Sequence, residues 1–334
     1  MFLRKATVIA ASMLMLLVFI KINGDVSSFI ATVKNSDATT VLAAPLLTEE
    51  DKLELYNTIV QHAESSRVPP VDARIDRVWR AIPGYNGLEV DIEKTYQETL
   101  ASPRGSGITY RYKEVEPRIG LQQLGAQPIY RGNPDKNMIS FMINVAWGNE
   151  FLPGILETLE RENVKATFFL DGSWLAKNIE LAEQIAAKGH ELSNHAYSHP
   201  DMAALSRSEQ YKQISRTETL LKEKLDVKNQ WFAPPSGSFN GTTVQVAREM
   251  GLYTVLWTID TIDWKKPSPE SIVAKIDRKL EPGALILMHP TASSSEALPG
   301  MIAAAKRKGY GIGTVGETLS SARMAPNVEG IGRF

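Results

Sequence analysis

From about residue 138 the chain alternates short apolar runs with longer amphipathic stretches. Runs at 139–145, 166–170, 253–259 and 284–288 have the length and content of buried strands. Between and after them, 152–162, 174–188, 209–225, 269–280 and 296–308 repeat apolar residues at helical spacing. Several of these helices stop at glycine, as in Lys188-Gly189, Met250-Gly251 and Lys308-Gly309. Alternating strand and helix units predict a parallel sheet, either open or closed into a barrel, and periodicity alone does not choose between the two.

Upstream the pattern is different. Arg131-Gly132-Asn133-Pro134-Asp135 punctuates the chain. Residues 47–130 read as a small α+β domain. Thr48 and Asp51 open a capped helix with a partial stripe of Leu53, Leu55, Ile59 and Val60. A second helix is expected at Val71, Ile75, Val78, Trp79 and Ile82, ended by Pro83-Gly84. Strands are expected on the alternations Leu88/Val90/Ile92 and Ile108/Tyr110/Tyr112. No chemical motif falls in this region. Residues 22–46 are small and polar and read as a tether. Arg4 and Lys5 precede an uncharged apolar run from Ala6 to Ile20 that Lys21 closes. Residues 1–21 therefore read as a signal anchor or signal peptide, the anchor preferred because no small-x-small cleavage site follows. The basic flank stays inside and the rest is exported, held at the cytoplasmic membrane or secreted.

Composition narrows the function classes. The 334 residues carry a formal net charge of -1, which gives no electrostatic reason for a nucleic-acid partner. There is no cysteine, which excludes disulfides, thiolate metal sites and a cysteine nucleophile. No glycine-rich fingerprint follows the first strand, so a dinucleotide cofactor has no support.

Candidate chemistry gathers in the loops after the strand-like runs. His195-Ala196-Tyr197-Ser198-His199 sets two imidazoles four residues apart, a spacing that on a helical turn puts both on one face, able to share a divalent metal. Such pairs are also common on surfaces by chance. Here, however, three of the chain's five histidines, His195, His199 and His289, sit in loops of this kind, where parallel barrels carry their sites.

The ordered motifs of the C-terminal part resemble the polysaccharide deacetylase family, the NodB-homology domain or carbohydrate esterase family 4. His195-Ala-Tyr-Ser-His199 is similar to its metal-binding HxxxH motif. Ala233-Pro234-Pro235-Ser236-Gly237 is similar to a motif that usually begins with arginine. Asp260-Thr-Ile-Asp263-Trp264 and Leu287-Met288-His289 match its DxxDW and LxH motifs, and Ala166-Thr167-Phe168-Phe169 its second strand. The resemblance covers about 137–322 and implies an α/β fold, a distorted (β/α) barrel, with metal-dependent hydrolysis of N-acetyl groups on glycans. Together with Asn144-Val145-Ala146-Trp147-Gly148 and the preceding region it points to a sporulation-associated branch. It further implies Asp263 orienting His289, a general acid; Trp264 and Leu287 lining an acetyl pocket; and Pro235 and Ser236 contacting substrate near an oxyanion donor. Zinc or cobalt would be held through His195 and His199. The simpler alternatives are that Trp264 is core and that Asp260 and Asp263 hold a turn.

The first family motif is altered. It carries two adjacent aspartates, a general base and a metal ligand. Anchoring on Pro153 puts Asn144 and Val145 at those positions. Asparagine keeps the shape of aspartate without its basicity, and valine has no ligand atom. The arginine that would pair with the base is Ala233. An arginine left beside a missing carboxylate would be a buried unpaired charge, costing about 3–5 kcal/mol, so joint loss of both partners is self-consistent. Asp171, at the end of the second strand, and Glu150 are candidate replacement carboxylates, Asp171 the better because a strand fixes its backbone; the commoner role of such residues is to cap the next helix. Two functions stay open: a deacetylase of peptidoglycan or another N-acetylated envelope glycan that uses a relocated carboxylate, and an inactive glycan-binding or scaffolding domain.

Overall fold

The computed structural model describes residues 47–103 and 105–324; the basic-flanked apolar run and the tether lie outside them. The chain divides into two compact units between Gln61 and His62. Apart from Leu47 and Thr48, the described part of the first belongs to helix α1 (Glu49–Ser65). Its start is closed reciprocally, Thr48 N–H donating to Asp51 Oδ2 at 2.9 Å and Asp51 N–H to Thr48 Oγ1 at 3.1 Å.

The second unit opens with two antiparallel hairpins. β1 (Arg74–Asp76) pairs with β2 (Arg80–Ile82) where a helix was expected. Asp76 Oδ1 accepts from the N–H groups of Val78 and Trp79 at 2.8 and 2.9 Å, and Arg80 takes a φ of 60°. This side-chain-fixed turn defeats the helical spacing of Val71, Ile75 and Val78. β3 (Gly87–Val90) pairs with β4 (Tyr112–Val115). The first expected strand is trimmed because Asp91 caps helix α2 (Ile92–Ala101), accepting from Lys94 N–H, so Ile92 turns helical; the second begins only at Tyr112, leaving Ile108 and Tyr110 outside it.

The remaining strands, β5 (Met138–Val145), β6 (Thr167–Leu170), β7 (Glu191–Asn194), β8 (Trp231–Phe232), β9 (Tyr253–Thr254), β10 (Ile259–Asp260), β11 (Leu285–Met288) and β12 (Gly311–Gly313), form one parallel sheet. Its order is β10-β11-β5-β6-β7-β8-β9, with β12 beside the start of β5. The expected run 253–259 is thus split between the two ends of a curled sheet. Those end strands do not pair with each other. The seam is bridged by residues 129–131: Ile129 N–H donates to Thr254 O at 2.9 Å, Leu256 N–H to Ile129 O at 2.7 Å, and Arg131 forms an antiparallel bridge with Ala284.

Helices α3 (Leu152–Arg161), α4 (Gly172–Leu175), α5 (Ile179–Ala187), α6 (Arg207–Leu225), α7 (Gly241–Glu249), α8 (Pro269–Lys279), α9 (Ala292–Arg307) and α10 (Val315–Leu319) connect the strands. Alternation along β5 separates two cores. Ile139, Phe141, Ile143 and Val145 join the cluster packed against the helices, whereas Met142 joins Phe169, Ala233, Val255 and Leu285 inside the curl. The C-terminal ends of β5, β6, β7, β8, β10 and β11 share one end of this sheet, and every candidate site residue lies there.

Candidate functional site

Asp263 and His289 form the best-defined pair. Asp263 is fully buried. Its Oδ1 accepts from His289 Nδ1 at 2.8 Å, and its Oδ2 from His289 N–H at 2.6 Å and from the Ser294 hydroxyl. Burial alone would raise this carboxyl, but the hydrogen bonds from His289 and Ser294 outweigh it and hold the group below its ordinary value, so it is ionised. A carboxylate only accepts, which puts an imidazole hydrogen on Nδ1 and leaves Nε2 outside this pair. The turn carrying Asp263 is strained: Ile262 has a φ of 58°, rare for a β-branched residue, and its N–H is held by Asp260 Oδ1 at 2.7 Å. Asp260 thus fastens the turn. Trp264 is exposed, with Lys265 Nζ 4.9 Å from its ring centre, and so is not core; Leu287 is buried.

The two motif histidines meet without a helical turn, contrary to the spacing argument. β7 ends at Asn194, and the following loop turns through positive φ at Ala196 (59°) and His199 (52°), bringing the rings edge to face at 5.2 Å between centroids. His195 is buried; its Nδ1 donates to Ala233 O at 2.7 Å, so Nε2 is the free nitrogen. Burial, with His199 nearby, pushes the His195 imidazole down to about 3, and the ring is neutral.

A third metal ligand is missing from this set. Val145 is an apolar core residue. Asp171 caps α4, its Oδ1 accepting from Trp174 N–H at 2.9 Å and the Ser173 hydroxyl at 2.5 Å, while its Oδ2 is buried without a partner. Glu150 is exposed. Among the described residues no three His, Asp or Glu side chains are grouped to share an ion. Catalytic zinc takes three protein ligands and an open position, so two imidazoles do not fit the family's metal site. Asn144 is buried with its Oδ1 unpartnered, and Ala233 packs in the inner cluster. Pro235 is buried, and exposed Ser236 sits at a φ of 55°.

Comparison with known proteins settles the family. The family model "Polysaccharide deacetylase" matches residues 131–255. The Bacillus subtilis protein YlxY is 45% identical over 270 residues, covering 81% of this chain and 85% of that one. The crystal structure of a carbohydrate esterase family 4 pseudoenzyme from Bacillus anthracis superposes with a TM-score of 0.73 at 44% identity, covering 81% of this chain and 96% of that one. This chain belongs to the polysaccharide deacetylase family. A mutant of the same pseudoenzyme, described as having restored enzymatic activity, matches equally well at 43% identity, with a TM-score of 0.73 and coverage of 81% and 99%. The match to a Bacillus cereus peptidoglycan-N-acetylglucosamine deacetylase is shorter, 36% identical over 165 residues, 48% of this chain and 60% of that one.

Set against the motif pattern, this family member keeps the Asp263–His289 pair and the HxxxH histidines and carries Asn144, Val145 and Ala233 at the altered positions. Two features of the site escape the motif reading. Ser294 completes the shell of Asp263 from the first turn of α9, and nothing in the local sequence marks it. Trp147 stacks on His289, centroids 5.9 Å apart and planes 11° from parallel. Its signal was a large aromatic beside Gly148, directly after a buried strand.

Proposed function

We propose that this chain is a non-catalytic, glycan-binding member of the polysaccharide deacetylase family that holds N-acetylated peptidoglycan outside the cytoplasmic membrane. The observation that carries this reading is the chemistry of the strand ends: Asn144, Val145 and Ala233 stand where base, ligand and arginine are required, and no carboxylate joins His195 and His199. Without the family's base or a complete metal site, the site lacks the means by which the family activates water. A free His289 Nε2, exposed Trp264 and the Pro235-Ser236 turn remain as a surface for a sugar. The Bacillus anthracis pseudoenzyme, and the restored activity of its mutant, support a site lost within an intact frame. The peptidoglycan deacetylase relatives and the basic-flanked run Ala6–Ile20 support the compartment.

The unpartnered Oδ2 of Asp171 favours a second reading, a deacetylase using zinc or cobalt with Asp171 as third ligand. One assay separates the two. Full-length chain is mixed with N-acetylated peptidoglycan, with zinc or cobalt added, and co-sedimentation and acetate release are both measured. Binding without acetate is the expected result. Acetate release that is abolished by Asp171→Asn would establish the second reading instead.

A further inference from the structure

We propose that Trp147 is the platform on which this chain seats a sugar ring, its indole laid beside His289 so that the site grips an N-acetylated pyranose instead of cleaving it. This rests on the glycan-binding reading above and names the residue through which the binding runs.

The observations are independent of one another. Of the chain's six tryptophans, Trp147 (48% exposed) and Trp264 (54% exposed) are the exposed ones; Trp147 stacks on His289, and Trp264 follows Asp263, the hydrogen-bond partner of His289, in the chain. An indole left in water at the rim of a polar site costs hydrophobic free energy that a ligand would recover. Trp147 is also held in place. Gly148 has a φ of +85°, and a Cβ there would lie 2.1 Å from Pro290 O, so the turn is pressed onto the loop that carries His289. Beyond it, Asn149 Oδ1 accepts from Trp174 Nε1 at 2.6 Å and Asn149 Nδ2 donates to Asn178 Oδ1 at 2.7 Å. A platform fixed before binding loses little entropy when a ligand arrives.

The chemistry selects the ligand class. A flat, exposed aromatic face suits the axial C–H face of a pyranose, whose ring has no charge to pair. Beside it, His289 keeps Nε2 for a ligand because Asp263 occupies the Nδ1 side. That nitrogen can share one hydrogen bond with a hydroxyl or an acetamido group, either of which both donates and accepts. The combination of stacking face and single hydrogen-bonding nitrogen fits an N-acetylhexosamine unit.

The test is calorimetric titration of a soluble tetrasaccharide of alternating N-acetylglucosamine and N-acetylmuramic acid into the full-length chain and its Trp147→Ala, Trp147→Leu and Trp147→Tyr variants, each checked by thermal melting. Stacking predicts that Ala and Leu weaken binding roughly tenfold or more while Tyr stays within about threefold. If Ala does not fold, the Leu and Tyr variants decide, since both fill the space and only one is planar. Wild-type affinity in the Leu variant would overturn Trp147 as the platform and leave glycan binding standing. No binding by the wild type would overturn both.

Discussion

On the proposed reading, Asn144 stands at the base position with the shape of an aspartate and without its basicity. Ala233 is buried among apolar neighbours, and Val145 has joined the helix-side core. On the proposed reading these positions are coupled. Ala233→Arg alone would bury an unpaired guanidinium and destabilise the chain by about 3–5 kcal/mol; adding Asn144→Asp should recover most of that loss. Urea unfolding of the two singles and the double measures the coupling directly. At this scale the resemblance already implied the Asp263–His289 pairing. The motifs named Asp263, His289, His195 and His199. Ser294 and Trp147 reach the site through packing between elements distant in the chain, which no local spacing encodes.

Among the elements, local hydrogen bonding decides where periodicity misleads. The helix expected through Val71–Ile82 gives way to a hairpin because the Asp76 carboxylate satisfies two backbone N–H groups in a turn. The HxxxH pair is likewise loop-borne, fixed by positive φ at Ala196 and His199. The regular βα alternation was legible because buried parallel strands and amphipathic helices differ in length and period. The loop after β5 carries the element-scale prediction. Gly148→Ala imposes an unfavourable φ and a clash with Pro290 O, and should cost on the order of 2 kcal/mol, lower the melting temperature and perturb the Trp147–His289 stack seen by the His289 ring resonances. Unchanged stability and resonances would mean that the turn is not pinned as described.

For the molecule as a whole, the seam of the curled sheet is bridged by residues 129–131, which the sequence marks only as the approach to a turn. Strand order decides this, and order is not written in any one segment. Stability has a pH dependence of its own. His190 is buried; its Nδ1 accepts from Ala166 N–H at 3.3 Å, and burial, with Lys165 and Lys188 nearby, pushes the imidazole down to about 4, against Glu160, which raises it. Between pH 6.5 and 4 the unfolded chain binds this proton and the folded chain does not, so stability falls as pH is lowered through that window. The loss approaches about 3 kcal/mol near pH 4. Denaturation midpoints should decline over this range in the wild type and decline less in His190→Gln; parallel profiles would remove His190 as the cause.

The central claim is that the family's metal site is gone, and zinc titration of the full-length chain tests it most directly. Calorimetry on the wild type and on a His195→Ala/His199→Ala variant should give indistinguishable, weak heats, whereas Asn144→Asp/Val145→Asp/Ala233→Arg should acquire stoichiometric binding. Tight one-to-one binding by the wild type that disappears with the two histidines would contradict the account, because a third ligand would then exist and the chain would have the means to be an enzyme.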